Sequence, residues 1–232
     1  MAINRKLTGR CIILAIVFFI LSPMIYYCFW YTTMWLSGGS PQWQGDLKNS
    51  YGKLPPKVIV NKAEVYNNIF HPKYFGPYSH IILTVLTERK DKEAVPFLLK
   101  SLQSTREGKR RDAIWRLGII GDTQAIEPLL MIANKYKIDI SYDKPYTPEY
   151  IEALKALSML KCEKVYPYAI KLATLNEDPN DFRSYGITML EYFEKSESIP
   201  ILENIAKNDP KSYIRDKAKS AIEHIESLQN KK

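Results

Sequence analysis

Cysteine is scarce in this 232-residue chain, and where it stands limits what can hold the fold together. Cys11 and Cys28 lie in an apolar stretch, which leaves Cys162 alone outside it. That part therefore has no internal disulfide and must rest on its packed core. Histidine is as sparse. His71, His80 and His224 are far apart, and neither His-Glu-x-x-His nor paired Cys-x-x-Cys occurs, so no metal site is expected. His224, between Glu223 and Glu226, reads as part of a solvated helical face. The Gly-x-Ser-x-Gly elbow, the phosphate loop and the dinucleotide fingerprint are absent too, so catalysis has no candidate residue and no cofactor is expected. A dense basic stripe is also lacking. The net charge of +8 includes Arg5, Lys6 and Arg10 ahead of the apolar stretch, and the remainder holds 30 basic against 25 acidic residues. Spread so thinly, that excess describes a solvated surface and argues against nucleic acid as a partner.

One segment lacks charge altogether. No ionisable acid or base of the Asp, Glu, Lys or Arg type falls between Arg10 and Asp46, and residues 11–36 are almost wholly apolar. At about 1.5 Å per residue, ~20 of them would cross a bilayer core of roughly 30 Å. The run is too long for a cleaved signal peptide, so a retained transmembrane helix over 11–36 is expected, in contact with the lipid bilayer. Arg5, Lys6 and Arg10 on one flank, and Tyr26, Tyr27, Trp30, Tyr31 and Trp35 toward the other, are the expected membrane-interface residues. The cations put residues 1–10 in the cytoplasm and the rest of the chain outside it, as in a bacterial inner-membrane protein. Residues 37–58, rich in Gly, Pro, Ser and polar side chains, read as a flexible linker.

Helical periodicity then takes over, and it repeats. Val95, Leu98, Leu99 and Leu102 have spacings that return at Ile126, Leu129, Leu130 and Ala133, and again at Val165, Tyr168, Ala169 and Leu172. Ile199, Leu202, Ile205 and Ala206 form a close variant. Pro96, Pro128, Pro167 and Pro200 mark four helix starts, because the first helical turn has no use for the amide that proline lacks. A second set of stripes alternates with these: Ala113, Ile114, Leu117 and Ile120; Tyr150, Ala153, Leu154, Leu157 and Leu160; Phe182, Tyr185, Met189, Leu190 and Phe193; Ile214, Ala218, Ala221, Ile222, Ile225 and Leu228. The unit is a helical hairpin used four times, with a degenerate fifth pair over residues 59–89. The array is expected to span 59–228, clearest over 91–228, with 229–232 as a tail.

AVPFLLKSL, AIEPLLMIA and SIPILENIA, followed by trailing segments such as RRDAIWRLGIIGD and IRDKAKSAIEHI, resemble the HEAT-repeat family and its short bacterial HEAT-like units. The resemblance implies an all-α chain: an α-α superhelix, a HEAT-like solenoid of about four to five hairpins preceded by one transmembrane helix. It implies an interaction scaffold for another protein or peptide, envelope or membrane-associated, with no catalysis of its own. HEAT-like repeats also occur in lyases, which leaves an enzyme-accessory role as the alternative, and a cytoplasm-facing nucleic-acid binder as a second.

Partner binding is expected on the edge made by the turns within hairpins. The first turn gathers Arg106, Lys109, Arg110 and Arg111, and the second carries a long insertion with Tyr142 and Tyr146. The cations would attract an acidic patch and the tyrosines would anchor it. Arg111 matches a family position that serves neighbouring acids between repeats, and Trp115 reads equally as a groove-facing or an inter-repeat aromatic.

Overall fold

The computed structural model describes residues 42–69, 76–135, 148–175 and 182–230. The chain divides into two compact units, residues 1–50 and 51–232. The described part of the first is the opening of helix α1 (Gln42–Gly52). The expected transmembrane segment and its interface residues lie outside the described residues, and among those described no helix is long and apolar enough to cross a membrane. The linker expected over 37–58 is mostly helical where it is described, since α1 occupies Gln42–Gly52 and α2 starts at Pro56, with a turn over 53–55 between them. The missed signal is local: Trp43, Leu47 and Tyr51 recur every four residues, and Pro55 and Pro56 mark a break followed by a helix start.

The second unit is a row of helical hairpins, with no strand among the described residues. Helices α2 (Pro56–Ile69) and α3 (Gly76–Glu88) pack together as the degenerate pair. Four further pairs follow: α4 (Val95–Ser101) with α5 (Glu107–Ile120), α6 (Ile126–Lys135) with α7 (Pro148–Met159), α8 (Tyr166–Ala173) with α9 (Phe182–Phe193), and α10 (Ile199–Asn208) with α11 (Ser212–Gln229). Each trailing helix also packs on the next, α5 on α7, α7 on α9 and α9 on α11, which makes one continuous core. Leu98, Ile114, Leu117, Leu129, Leu154, Leu157, Leu172 and Ile187 are fully buried there. Each such side chain contributes roughly 1.5–3 kcal/mol relative to exposure. Tyr185, assigned to a core stripe by spacing, is instead exposed.

The turns between hairpins are uniform. A left-handed residue ends each trailing helix, at Lys90, Gly121, Lys161 and Glu194, with φ of 53°, 78°, 55° and 56°. A three-residue 3₁₀ turn then leads into the next helix, as at Lys92–Ala94 and Glu163–Val165. The left-handed residue lets the chain close back on orphan carbonyls: the Asp91 amide donates to the Leu86 carbonyl at 2.9 Å and the Cys162 amide to the Leu157 carbonyl at 2.9 Å. Ion pairs stitch one turn to the next, Lys92 to Asp122 at 3.5 Å, Lys161 to Glu194 at 3.0 Å and Lys195 to Glu163 at 2.6 Å. At the start of the array the Arg89 guanidinium donates to the Leu54 carbonyl at 2.9 Å and so fastens the α1–α2 turn.

Candidate functional site

The opposite edge, made by turns within hairpins, holds most of the cations expected to bind a partner, and the structure gives them different roles. Arg106 is the exposed N-cap residue of α5. Lys109 is partly buried, and burial pushes its ammonium below the ordinary lysine value, with further lowering from the positive charges of Arg106 and Lys100. Arg110 is engaged internally: its Nε donates to Glu149 Oε1 of α7 at 2.5 Å, and its Nη1 donates to the Ser104 carbonyl at 2.7 Å. Arg111 projects outward and lies 4.0 Å from Glu107. The edge thus brings Lys100, Arg106 and Lys109 together and removes Arg110 from them. Tyr142 and Tyr146 lie outside the described residues.

The inter-repeat role assigned to Arg111 belongs to Arg110. Arg110 stands four residues after the N-cap Arg106, as Arg215 stands four after the N-cap Lys211. Arg215 donates to the Asp209 carbonyl at 2.7 Å just as Arg110 donates to that of Ser104. Superposing the two Arg-Asp pairs shifts the register by one. Counting back from the left-handed residues gives a second equivalence, since Arg110 and Arg183 both stand eleven places before theirs. Arg183 meets Asp209 at 2.8 Å, with both side chains buried.

Two functional-looking groups escaped the sequence reading. Glu149 is buried in the first turn of α7 and is the partner of Arg110. Arg116 is fully buried, with Nε on Asp112 Oδ2 at 2.8 Å and Nη1 on the Thr87 hydroxyl at 3.1 Å, which ties α5 to α3. An arginine inside an apolar stripe, four residues after an aspartate, was the available signal. Trp115 resolves as 42% exposed on α5.

Between α4 and α6, beside this edge, lies a cleft of about 440 Å³. Leu99, Leu102 and Gln103 line it from one side, Pro128, Met131 and Ile132 from the other, with Ile114 and the Arg110–Glu149 pair completing the lining. Lys100 directly follows Leu99, and Arg106 and Lys109 precede Arg110 in the same turn. Cations at a helix N-terminus oppose the helix dipole, at roughly 0.3–1 kcal/mol each. Arg106 at the N-cap and Lys109 in the first turn of α5 oppose that dipole, in part against Glu107, whereas Lys100 lies in the last turn of α4. Among the described residues no group of His, Cys, Asp and Glu could hold a metal ion.

Residues 79–140, from within α3 to just beyond α6, match a family model described as HEAT repeats. The match covers α4, α5 and α6, and with them all of the named cleft lining except Glu149 of α7. A search among curated proteins found no match to the chain.

Proposed function

We propose that the chain is a membrane-tethered, non-catalytic scaffold that docks another protein on the edge formed by α4 to α7. The observation that carries this reading is the cleft itself, an apolar recess near a cationic turn, in a fold whose equivalent position at Arg183 and Asp209 is closed by a buried ion pair. Stacked helical repeats present extended surfaces of helices and turns suited to a protein or peptide. The uncharged run over 11–36 supplies the tether, with the flanking cations on the cytoplasmic side and the hairpins outside.

Two measurements test the two halves of the proposal. The full-length protein should stay in the membrane fraction through carbonate washing, and the hairpins should be digested by protease added from the extracytoplasmic side. Release by carbonate, or protection from that protease, would remove the tether or its orientation. Charge reversal at Lys109 should slow association with the docked protein, because rim charges act mainly on the encounter rate. An unchanged association rate would move docking to the trailing-helix face, where Trp115 and Tyr185 are exposed.

A further inference from the structure

We infer that the α4–α6 cleft takes a bulky apolar side chain carried by an acidic segment of the partner protein. The inference rests on the docking reading above and names what that edge recognises. Its first support is a comparison among the repeats. Ten residues after the left-handed residues Lys90, Gly121, Lys161 and Glu194 stand Lys100, Met131, Lys171 and Asn204. All four are exposed, so the register is common to the four leading helices. Three of these positions are polar, as a solvent-facing row should be. The fourth is Met131, 73% exposed, and it is the one that borders the cleft.

An unbranched thioether left in water at such a row contributes nothing to the core, yet it adapts well to an incoming apolar group. Opposite it stand Leu99 and Leu102, and Ile114 completes the lining with no exposed surface. The recess therefore offers apolar contact from both sides. Its polar lining is already neutral, since Arg110 is paired with Glu149 at 2.5 Å, so that pair does not itself demand a charge.

The charge preference comes from the rim. Arg106 stands one helical turn before Arg110, and Lys100 three residues before Gln103, both of which line the cleft; Arg106 and Lys100 are exposed, and after burial their charges are what push the Lys109 ammonium down. A carboxylate landing there would meet the exposed charges of Lys100 and Arg106 and ease the opposition between Arg106 and the α5 dipole. Phosphates of a nucleic acid would meet the same cations but would leave the walls of Leu99, Leu102, Met131 and Ile132 without an apolar partner. An acidic peptide segment with one large apolar residue satisfies both features.

The test uses the full chain in detergent with its methionine methyl groups labelled with carbon-13; there are only six methionines. The probe is a synthetic peptide of alternating Asp and Glu with a central Phe. Controls replace the Phe by Ala, or the acids by Lys, and a thymidine oligonucleotide of equal length forms the fourth arm. The acidic Phe peptide should shift the Met131 methyl resonance and bind at least tenfold more tightly than every control. Its affinity should fall as salt rises, and both Lys109→Glu and Met131→Lys should weaken it at least tenfold, with Trp115→Ala leaving it unchanged. Equal binding of the Phe and Ala peptides, stronger binding of the oligonucleotide, or an unmoved Met131 resonance overturns the inference. The docking reading fails separately, if the natural partner ignores the Lys109 charge reversal.

Discussion

Arg110 and Arg183 occupy the same place in their repeats, and both reach forward to an acid of the next hairpin, Glu149 in the first turn of α7 and Asp209 at the C-cap of α10, but their surroundings differ. The Arg183–Asp209 pair is closed off, with side chains 7% and 4% exposed. Arg110, at 26%, and Glu149, at 10%, form instead part of the lining of an open cleft. One repeat device thus locks two hairpins together near the C-terminus and lines an opening near the middle. Beside this open pair stands Met131, where the other leading helices carry Lys or Asn. Shared geometry identifies the structural part of a repeat protein, and departures from it point to the part free for a partner.

The largest expected effects fall on the closed pair. Arg183→Met should cost about 3–5 kcal/mol, because it strands the buried Asp209 carboxylate. Arg110→Met should cost clearly less, since Glu149 can rehydrate through the cleft. Urea unfolding midpoints check this, and equal losses would erase the distinction between the two pairs.

Next in size are two glycines. A methyl group on Gly186 of α9 would lie 2.1 Å from the Ala173 backbone nitrogen, so α8 and α9 touch there, backbone against backbone. Gly186→Ala should cost about 1–3 kcal/mol despite its better helix propensity. Gly108, in the first turn of α5, has nothing within 4 Å. Gly108→Ala should stabilise by up to about 1 kcal/mol. Thermal unfolding of both variants would show whether the α8–α9 hairpin is the tightly packed one.

Met131→Lys should leave stability within about 0.5 kcal/mol of the parent, as for a surface position. A large loss would mean that the side chain supports the fold. The smallest effect concerns pH. Because burial depresses Lys109 in the folded state, the folded chain sheds that proton first. The charged form costs stability, and the cost is relieved as pH rises through the folded-state value toward about 10.4, the ordinary lysine value. Approaching that ordinary value from neutral pH, the parent should therefore gain stability relative to Lys109→Met, measured by urea midpoints. A flat difference would show that Lys109 is solvated.

Hairpin count, helix starts and most core residues could be read from spacing, because an apolar stripe with a helical period has few alternatives. Tyr185 failed that test, since a stripe position says nothing about whether a neighbouring helix covers it. The cationic turn was legible as composition, but the separation of Arg110 from Lys109 was not. It depends on Glu149, which lies 39 residues away in sequence from Arg110 and is brought to it by stacking. The cleft was invisible for the same reason. Met131 looked like one more apolar residue until the left-handed turns fixed its register against Lys100, Lys171 and Asn204.

The most direct test places a photo-crosslinking side chain in the full-length protein in its own membrane, at position 131 and, separately, at the equivalent position 204. The account predicts an adduct at 131 that maps to an acidic partner segment around a bulky apolar residue, that is suppressed by Lys109→Glu, and that has no counterpart at 204. Equal adducts at both positions, or an adduct at 131 indifferent to Lys109, would contradict it.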